Sequence, residues 1–417
     1  MERVIALILA GGCGKRMGVL CYSRPKPALP FAGRYRVIDF TLSNCIRSKI
    51  DHMAVLVDYR RSVMAHYLEQ WRSIHAASRK FRILQPNGCS YLGTADAVFQ
   101  NSDFLVSSQH ENVLILPGDH IYHMDYHRML DYHIKKKADL TLCVVRVNLS
   151  QALRFGIASV NAEGQIEYFV EKPETPQSNL ASMGIYIFKK DVLLKRLLED
   201  ANKTTSLHDF GYSIIPSMVR RDRVFACEFN GYWQDIGTVE AFYQANMDLV
   251  SSQPPFNTGV ALTVHKKKQF YLTPHSNETG NIQNSIVSPG CTVKGMVKNC
   301  ILSPGVFIAE NTFIRNSVLM DNVFVDRHSL VDACVVDEDV SIGRFCRVGG
   351  GPRFISGNGS VFVLGRGVRI PACATIGSNC FIPRATGSPA PPAGHLFRGS
   401  DLVTVSAEEI TESPLGK

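Results

Sequence analysis

The chain of 417 residues has no Cys-x-x-Cys pair among its 12 cysteines and no apolar run that approaches the length of a membrane span. Scattered cysteines in a chain large enough to bury its own core read as reduced thiols and point to the cytoplasm. With no stretch of about twenty apolar residues, no crossing of a bilayer is expected. Residues 4–10 imitate the apolar core of a signal peptide, but Gly11-Gly12 and Lys15-Arg16 stand where a small-residue cleavage site belongs, which argues against secretion. A net charge of +8 is modest at this length, and the basic residues are dispersed rather than gathered into a stripe for nucleic acid. Anionic small molecules are the simpler partners. The first glycine cluster is followed by no Gly-Lys-Ser/Thr and does not have dinucleotide-fingerprint spacing, so it is neither of those two phosphate motifs.

What the chain does have is an apolar run over residues 4–9, short enough for one buried strand, that breaks into Gly11-Gly12-Cys13-Gly14-Lys15-Arg16, with Arg24-Pro25-Lys26-Pro27 close behind. Glycines remove the side chains that would keep a polyphosphate from backbone N–H groups, and a guanidinium and an ammonium add charge beside them. A tight turn with solvated basic residues fits the same stretch taken alone.

At this length, with 45% apolar residues, the chain can hold two or three domains with sizeable cores. Residues 1–250 alternate apolar runs with amphipathic stretches, the pattern of an α/β domain with a mostly parallel sheet. Candidate strands lie at residues 53–57, 113–116 and 140–145, and helical patterning fits 62–71 and 95–104. Residues 251–280 read as a linker. Over residues 281–385 the grammar changes: Asn284-Ser285-Ile286, Asn299-Cys300-Ile301, Asn316-Ser317-Val318 and Ala333-Cys334-Val335 recur at offsets of 15, 17 and 17. Val368, Ala374 and Cys380 follow at sixes, as do Ile370, Ile376 and Ile382. That is the hexapeptide signature of a parallel β-helix, whose coils bury apolar positions against one another. Residues 349–359 are glycine-rich and read as a loop, and residues 386–417 as a peripheral tail.

Leu116-Pro117-Gly118-Asp119-His120 sets a carboxylate just past a fully apolar strand, where open α/β sheets bind ligands. Asp119 is placed either to hold Mg²⁺ against phosphates or to cap the next turn. Tyr232-Trp233-Gln234-Asp235-Ile236-Gly237 offers a second carboxylate and aromatic faces suited to a sugar, though core packing would also explain Trp233. Glu171-Lys172-Pro173 ends another apolar stretch with an acid and a base that suit a sugar phosphate, or a surface ion pair.

Taken in order, these segments resemble the sugar-nucleotide pyrophosphorylases, and among them the glucose-1-phosphate adenylyltransferases. The likeness also takes in Arg36-Val37-Ile38-Asp39-Phe40, Gly93-Thr94-Ala95-Asp96, Phe155-Gly156, Ser182 to Tyr186 and His208-Asp209-Phe210-Gly211. It implies a Rossmann-like nucleotidyltransferase domain followed by a left-handed parallel β-helix. The reaction it implies joins ATP and glucose 1-phosphate into ADP-glucose and diphosphate, the glucosyl donor for glycogen or starch. The resemblance assigns Gly11, Gly12, Gly14, Arg16 and Lys26 to the ATP phosphates. It sets Gln85, Gly93 and Thr94 beside the nucleotide and Tyr91 at the edge of the substrate pocket. Gly156, Glu171, Lys172, Ser182, Tyr186, Asp209 and Trp233 match positions around the sugar phosphate. Asp119 and Asp235 match the pair that holds Mg²⁺, with Arg16, Lys26 and Asp119 as the catalytic set. It further implies a homotetramer, or a hetero-oligomer with a paralogous subunit.

Cys21-Tyr22-Ser23 stands where relatives activated by a sugar bisphosphate often carry a lysine, which speaks against that activation here. Met17 replaces a leucine, a volume-conserving change. Two other readings stay open from sequence: a transferase for another nucleotide or sugar phosphate, and a non-catalytic regulatory subunit. The presence of Arg16, Asp119 and Asp235 weighs against the second.

Overall fold

The computed structural model describes residues 4–75, 80–88, 90–256, 281–350, 361–377, 381–382 and 396–397. The described chain forms two units, and the division is not the contiguous one suggested by sequence. Residues 30–34 and 238–254 belong with the C-terminal unit, and residues 35–237 with the first. The expected linker falls mostly at 257–280, the glycine-rich loop at 351–360 and the tail largely beyond 382, all outside the described residues together with Cys380.

The first unit is built on a nine-stranded sheet. Its centre is the strand Val4–Ala10, buried along nearly its whole length because it carries apolar side chains on both faces, as a strand covered on two sides must. It pairs in parallel with His52–Val57 on one side and Asn112–Pro117 on the other, and Lys80–Leu84 extends the parallel run. The other half is mixed. Leu180–Lys189 runs antiparallel to Asn112–Pro117, Leu140–Arg146 and Gly156–Val160, and its register shifts between Ser182 and Tyr186. Helix Arg61–His75 covers the expected helical stretch, whereas the second expected helix is two, Thr94–Phe99 and Ser102–Val106.

Because Val4–Ala10, His52–Val57 and Asn112–Pro117 are parallel, their C-terminal ends open on one edge and deliver Gly11, Asp58 and Asp119 together. Gly118 lets the chain pass tightly there. Its amide donates to the Leu9 carbonyl at 2.9 Å, and a β-carbon on it would lie 2.9 Å from that same oxygen.

The second unit contains three parallel sheets of seven, six and five short strands. Ile286, Ile301, Val318 and Val335 stand in register, which reproduces the repeat in the sequence, and this is the arrangement of a left-handed parallel β-helix. Its core is a stack of inward side chains such as Val297, Ile314, Val331 and Val348. Asparagine recurs because the corners need a left-handed backbone: φ is 53° at Asn299 and 48° at Asn316. Their side chains continue the ladder, Asn299 donating to Asn316 and Asn316 to Asp332, each at 3.2 Å. Leu396–Phe397, within the expected tail, adds a strand beside Thr375–Ile376.

Candidate active site

The glycine loop begins where the central strand ends. Gly14 takes φ 62°, a conformation that glycine adopts without strain, and leads into a short 3₁₀ helix, Lys15–Cys21. Among the described residues nothing would lie within 4 Å of a β-carbon on Gly12, so the space above the loop is open. Arg16 projects from the loop and is exposed, while Lys26 is 7% exposed at the start of a single 3₁₀ turn, Lys26–Ala28.

Lys26 is the point on which distant segments converge. Its Nζ lies 2.7 Å from Asp119 Oδ2 and 3.2 Å from Asp235 Oδ1. Asp235 arrives by strand pairing: Trp233–Asp235 runs antiparallel to His120–Tyr122, which sets Asp235 opposite His120 and so beside Asp119. Burial on its own would raise the Asp119 carboxyl, but the Lys26 charge, His120 and the hydrogen bond from Lys26 outweigh it and hold it below the usual carboxylate range. Burial would likewise lower the Lys26 ammonium, and the two carboxylates reverse this and raise it. Both groups are therefore charged at neutral pH, and two carboxylates against one ammonium leave an excess of negative charge.

Oxygen or nitrogen atoms of Asp119, His120 and Asp235 all lie within 4.8 Å of one another, close enough to share an ion. The two carboxylates suit a hard divalent cation. His120 lies beside them, its Nδ1 accepting from Trp233 Nε1 at 3.3 Å and its Nε2 3.5 Å from Asp235 Oδ1 and 3.7 Å from Asp119 Oδ1. The Nε2 edge of the imidazole thus faces both carboxylates.

Trp233 is half-buried rather than part of the core, its ring 5.1 Å from Phe155 and 5.5 Å from His120. Next to Phe155, Gly156 opens a second cluster. A β-carbon on Gly156 or on Gly211 would come 2.6 Å from Glu171 Oε2, so the Glu171 carboxylate threads between two glycines. Lys172 pairs with Glu171 at 2.8 Å and adopts φ 50°, a left-handed conformation that costs a non-glycine residue about 1–2 kcal/mol. Strain of that kind is tolerated where a side chain must be aimed. Tyr186 is buried nearby. Burial pushes its phenol up, the Ser182 hydrogen bond opposes this, and the Glu171 and Asp209 charges add to it.

Asp209 is committed to the backbone. Its Oδ1 accepts from the amides of Gly211 at 2.8 Å and Tyr212 at 3.1 Å, and its Oδ2 from the Thr94 hydroxyl at 2.8 Å. Gly93 packs directly under the 207–208 backbone, whose His208 carbonyl accepts from the Ala95 and Asp96 amides at the start of Thr94–Phe99. Gly93 and Thr94 thus join the predicted nucleotide segment to the predicted sugar segment. Tyr91 is half-buried with its hydroxyl accepting from Asn101 at 3.0 Å, and burial chiefly raises its phenol to about 12. Gln85 is exposed just past Lys80–Leu84.

Two residues escaped the sequence reading. Asp58 accepts from the Tyr91 amide at 3.1 Å and Ser90 Oγ at 3.2 Å, while the Tyr59 amide donates to the Gly11 carbonyl at 3.3 Å. It follows an apolar strand as Asp119 does, a signal that would have found it. Arg154 is the other, exposed on the turn before Phe155, and nothing in its local sequence marks it.

A profile of the nucleotidyl transferase family matches residues 5–252, and one of the GlmU-like C-terminal hexapeptide matches residues 269–353. The chain is 41% identical over 360 residues to a glucose-1-phosphate adenylyltransferase of Fervidobacterium nodosum, covering 84% of this chain and 86% of the relative. It is 37% identical to that of Acetivibrio thermocellus over 91% of this chain and 93% of the relative. To that of Desulfitobacterium hafniense it is 38% identical, over 84% and 90%. Among the described residues no helix is long and apolar enough to cross a membrane.

Proposed function

This chain belongs to the glucose-1-phosphate adenylyltransferases, a family of nucleotidyltransferases, and from that premise we propose that it converts ATP and glucose 1-phosphate into ADP-glucose and diphosphate. The observation that carries the reading is the bridge from Lys26 to both Asp119 and Asp235, contributed by three segments of a chain that matches this family over most of its length. Such an assembly suits a polyphosphate substrate and a divalent ion, and it weighs against a subunit that keeps the fold alone.

A phosphate oxygen of glucose 1-phosphate attacks the α-phosphorus of ATP. One O–P bond forms, the bond to the bridging oxygen breaks, and its electron pair leaves with the diphosphate. Phosphate oxygen is already a competent nucleophile, so catalysis rests on alignment and on positive charge where negative charge develops. Arg16 and the amides of Gly11, Gly12 and Gly14 take the departing phosphates, and Lys26 holds the two carboxylates in place. Asp119 and Asp235 would hold Mg²⁺, which when bound would offset phosphate charge. Gln85, Gly93 and Thr94 shape the nucleotide edge, and Tyr91 the edge of the sugar-phosphate pocket. Gly156, Glu171, Lys172, Ser182, Tyr186, Asp209 and Trp233 enclose the sugar phosphate, Asp209 by holding the pocket's backbone in shape. The enzyme works in the cytoplasm as a homotetramer, or with a paralogous subunit.

Pyrophosphate release measured with each nucleoside triphosphate against glucose, glucosamine, N-acetylglucosamine and mannose 1-phosphates tests the reading. ATP with glucose 1-phosphate turns over fastest if it holds. A faster pair reassigns the substrate, and no turnover with any pair favours the regulatory subunit. Light scattering of the full chain measures the assembly.

A further inference from the structure

Gly237 has no side chain, and three charged groups converge on the space that one would fill. A β-carbon placed there would lie 2.9 Å from Asp235 Oδ2, 3.2 Å from Arg16 Nη2 and 3.4 Å from Arg154 Nη2. Two guanidinium groups therefore meet over one glycine, from segments more than a hundred residues apart. Both side chains are exposed, and among the described residues neither guanidinium has a carboxylate partner in an ion pair. Asp235 spends one oxygen on Lys26. Like charges brought this close repel, and an anion between them removes the repulsion while using planar forks that match phosphoryl oxygens. Arg154 is not loosely placed: its guanidinium lies over the Phe155 ring at 5.9 Å, and that ring packs against Trp233.

We infer that Arg154 and Arg16 form a two-guanidinium clamp on the diphosphate, with Arg154 a further residue that binds the leaving group of the transfer. The inference rests on the functional reading above and adds a residue to it. As the α-phosphorus bond to the bridging oxygen breaks, the electron pair and its charge pass to the diphosphate, and a clamp on that group stabilises the charge where it arises. In the reverse direction the same pair receives diphosphate as a substrate. A lysine at 154 supplies a point charge without the fork, so it restores the contact only in part.

The test compares wild type with Arg154→Ala and Arg154→Lys in both directions, with folding checked by circular dichroism. Arg154→Ala raises the KM for diphosphate in the reverse reaction by about ten-fold or more, and Arg154→Lys recovers part of it. The KM values for ADP-glucose and glucose 1-phosphate stay within about two-fold. An unaltered diphosphate KM overturns the clamp. So does a loss that falls on glucose 1-phosphate, which would assign Arg154 to the sugar phosphate instead. Calorimetric titration of inorganic diphosphate into the full chain separates this from the functional reading. Binding by wild type that weakens in Arg154→Ala supports the clamp even where no substrate pair turns over, and no binding by wild type overturns it.

Discussion

Asp39 has no exposed surface, and it accepts from the Arg36 amide at 2.8 Å and from the Tyr67 hydroxyl at 2.5 Å. Burial dominates and raises its carboxyl to about 6 in spite of both donors. The folded chain therefore keeps this proton at pH values where the unfolded chain, titrating near 4, has released it. The stability it contributes is complete below about pH 4 and is lost as pH rises through about 6, a fall of roughly 3 kcal/mol at most. Melting temperatures between about pH 4 and 7 should decline less steeply for Asp39→Asn than for wild type. Asp119→Asn carries a different expectation. It keeps the volume but removes the charge that faces Lys26, so turnover should drop by about 10²-fold or more with the circular dichroism spectrum unchanged. Near-normal turnover would remove Asp119 from the site. The placement of Asp119 was legible because a carboxylate past the end of an apolar strand is a local signal, and that of Arg16 and Lys26 because they follow glycines after one. Asp235 stood out only as a carboxylate in an aromatic turn, and its approach to Lys26 and Asp119 depends on strand pairing. Arg154 was not legible, because only the fold brings it to Gly237, and the preference of His120 for Trp233 is a matter of ring geometry that no string of residues records.

At the scale of elements, the start of helix Thr94–Phe99 depends on the 207–208 turn for partners to its amides. A β-carbon on Gly93 would come within 2.6 Å of the Leu207 carbonyl oxygen, and backbone cannot step aside as a flexible side chain can. Gly93→Ala should therefore cost roughly 1–3 kcal/mol, read as a lower urea midpoint, and should weaken ATP and glucose 1-phosphate together because the turn serves both segments. The parallel strands were readable as continuous apolar runs. The seven-stranded sheet of the β-helix was not: Met296–Lys298, Phe313–Arg315 and Leu330–Asp332 each set one buried apolar residue, Val297, Ile314 or Val331, before a charged one, so these coils lack an apolar run. The antiparallel pairing of Leu180–Lys189 was equally hidden, since strand direction is set by the connections and not by composition.

For the molecule as a whole, the β-helix owes its order to stacking, each coil covering the next. Ile314 lies at its centre without exposed surface, its strand paired to Met296–Lys298 below and Leu330–Asp332 above. Ile314→Ala should cost about 2–5 kcal/mol and raise amide exchange in both neighbouring strands, whereas a loss confined to its own coil would contradict the stacking account. Residues 30–34 were read from sequence as part of the first domain, since the chain is continuous there. They instead join the C-terminal unit, where Phe31 meets Phe242 at 6.0 Å, the Ala32 amide donates to Asn246 Oδ1 at 3.1 Å, and Gly33 packs against Ser288. Recombination inherits this arrangement. A chimaera spliced from two relatives at one crossover near residue 250 would not exchange whole units: it would pair one parent's residues 30–34 with the other parent's Ser288. Its success or failure would reflect that short graft as much as the halves the experiment set out to swap, and only a design with two further crossovers, one on each side of residues 30–34, and the last moved to about residue 238, carries those five residues along with the unit they belong to.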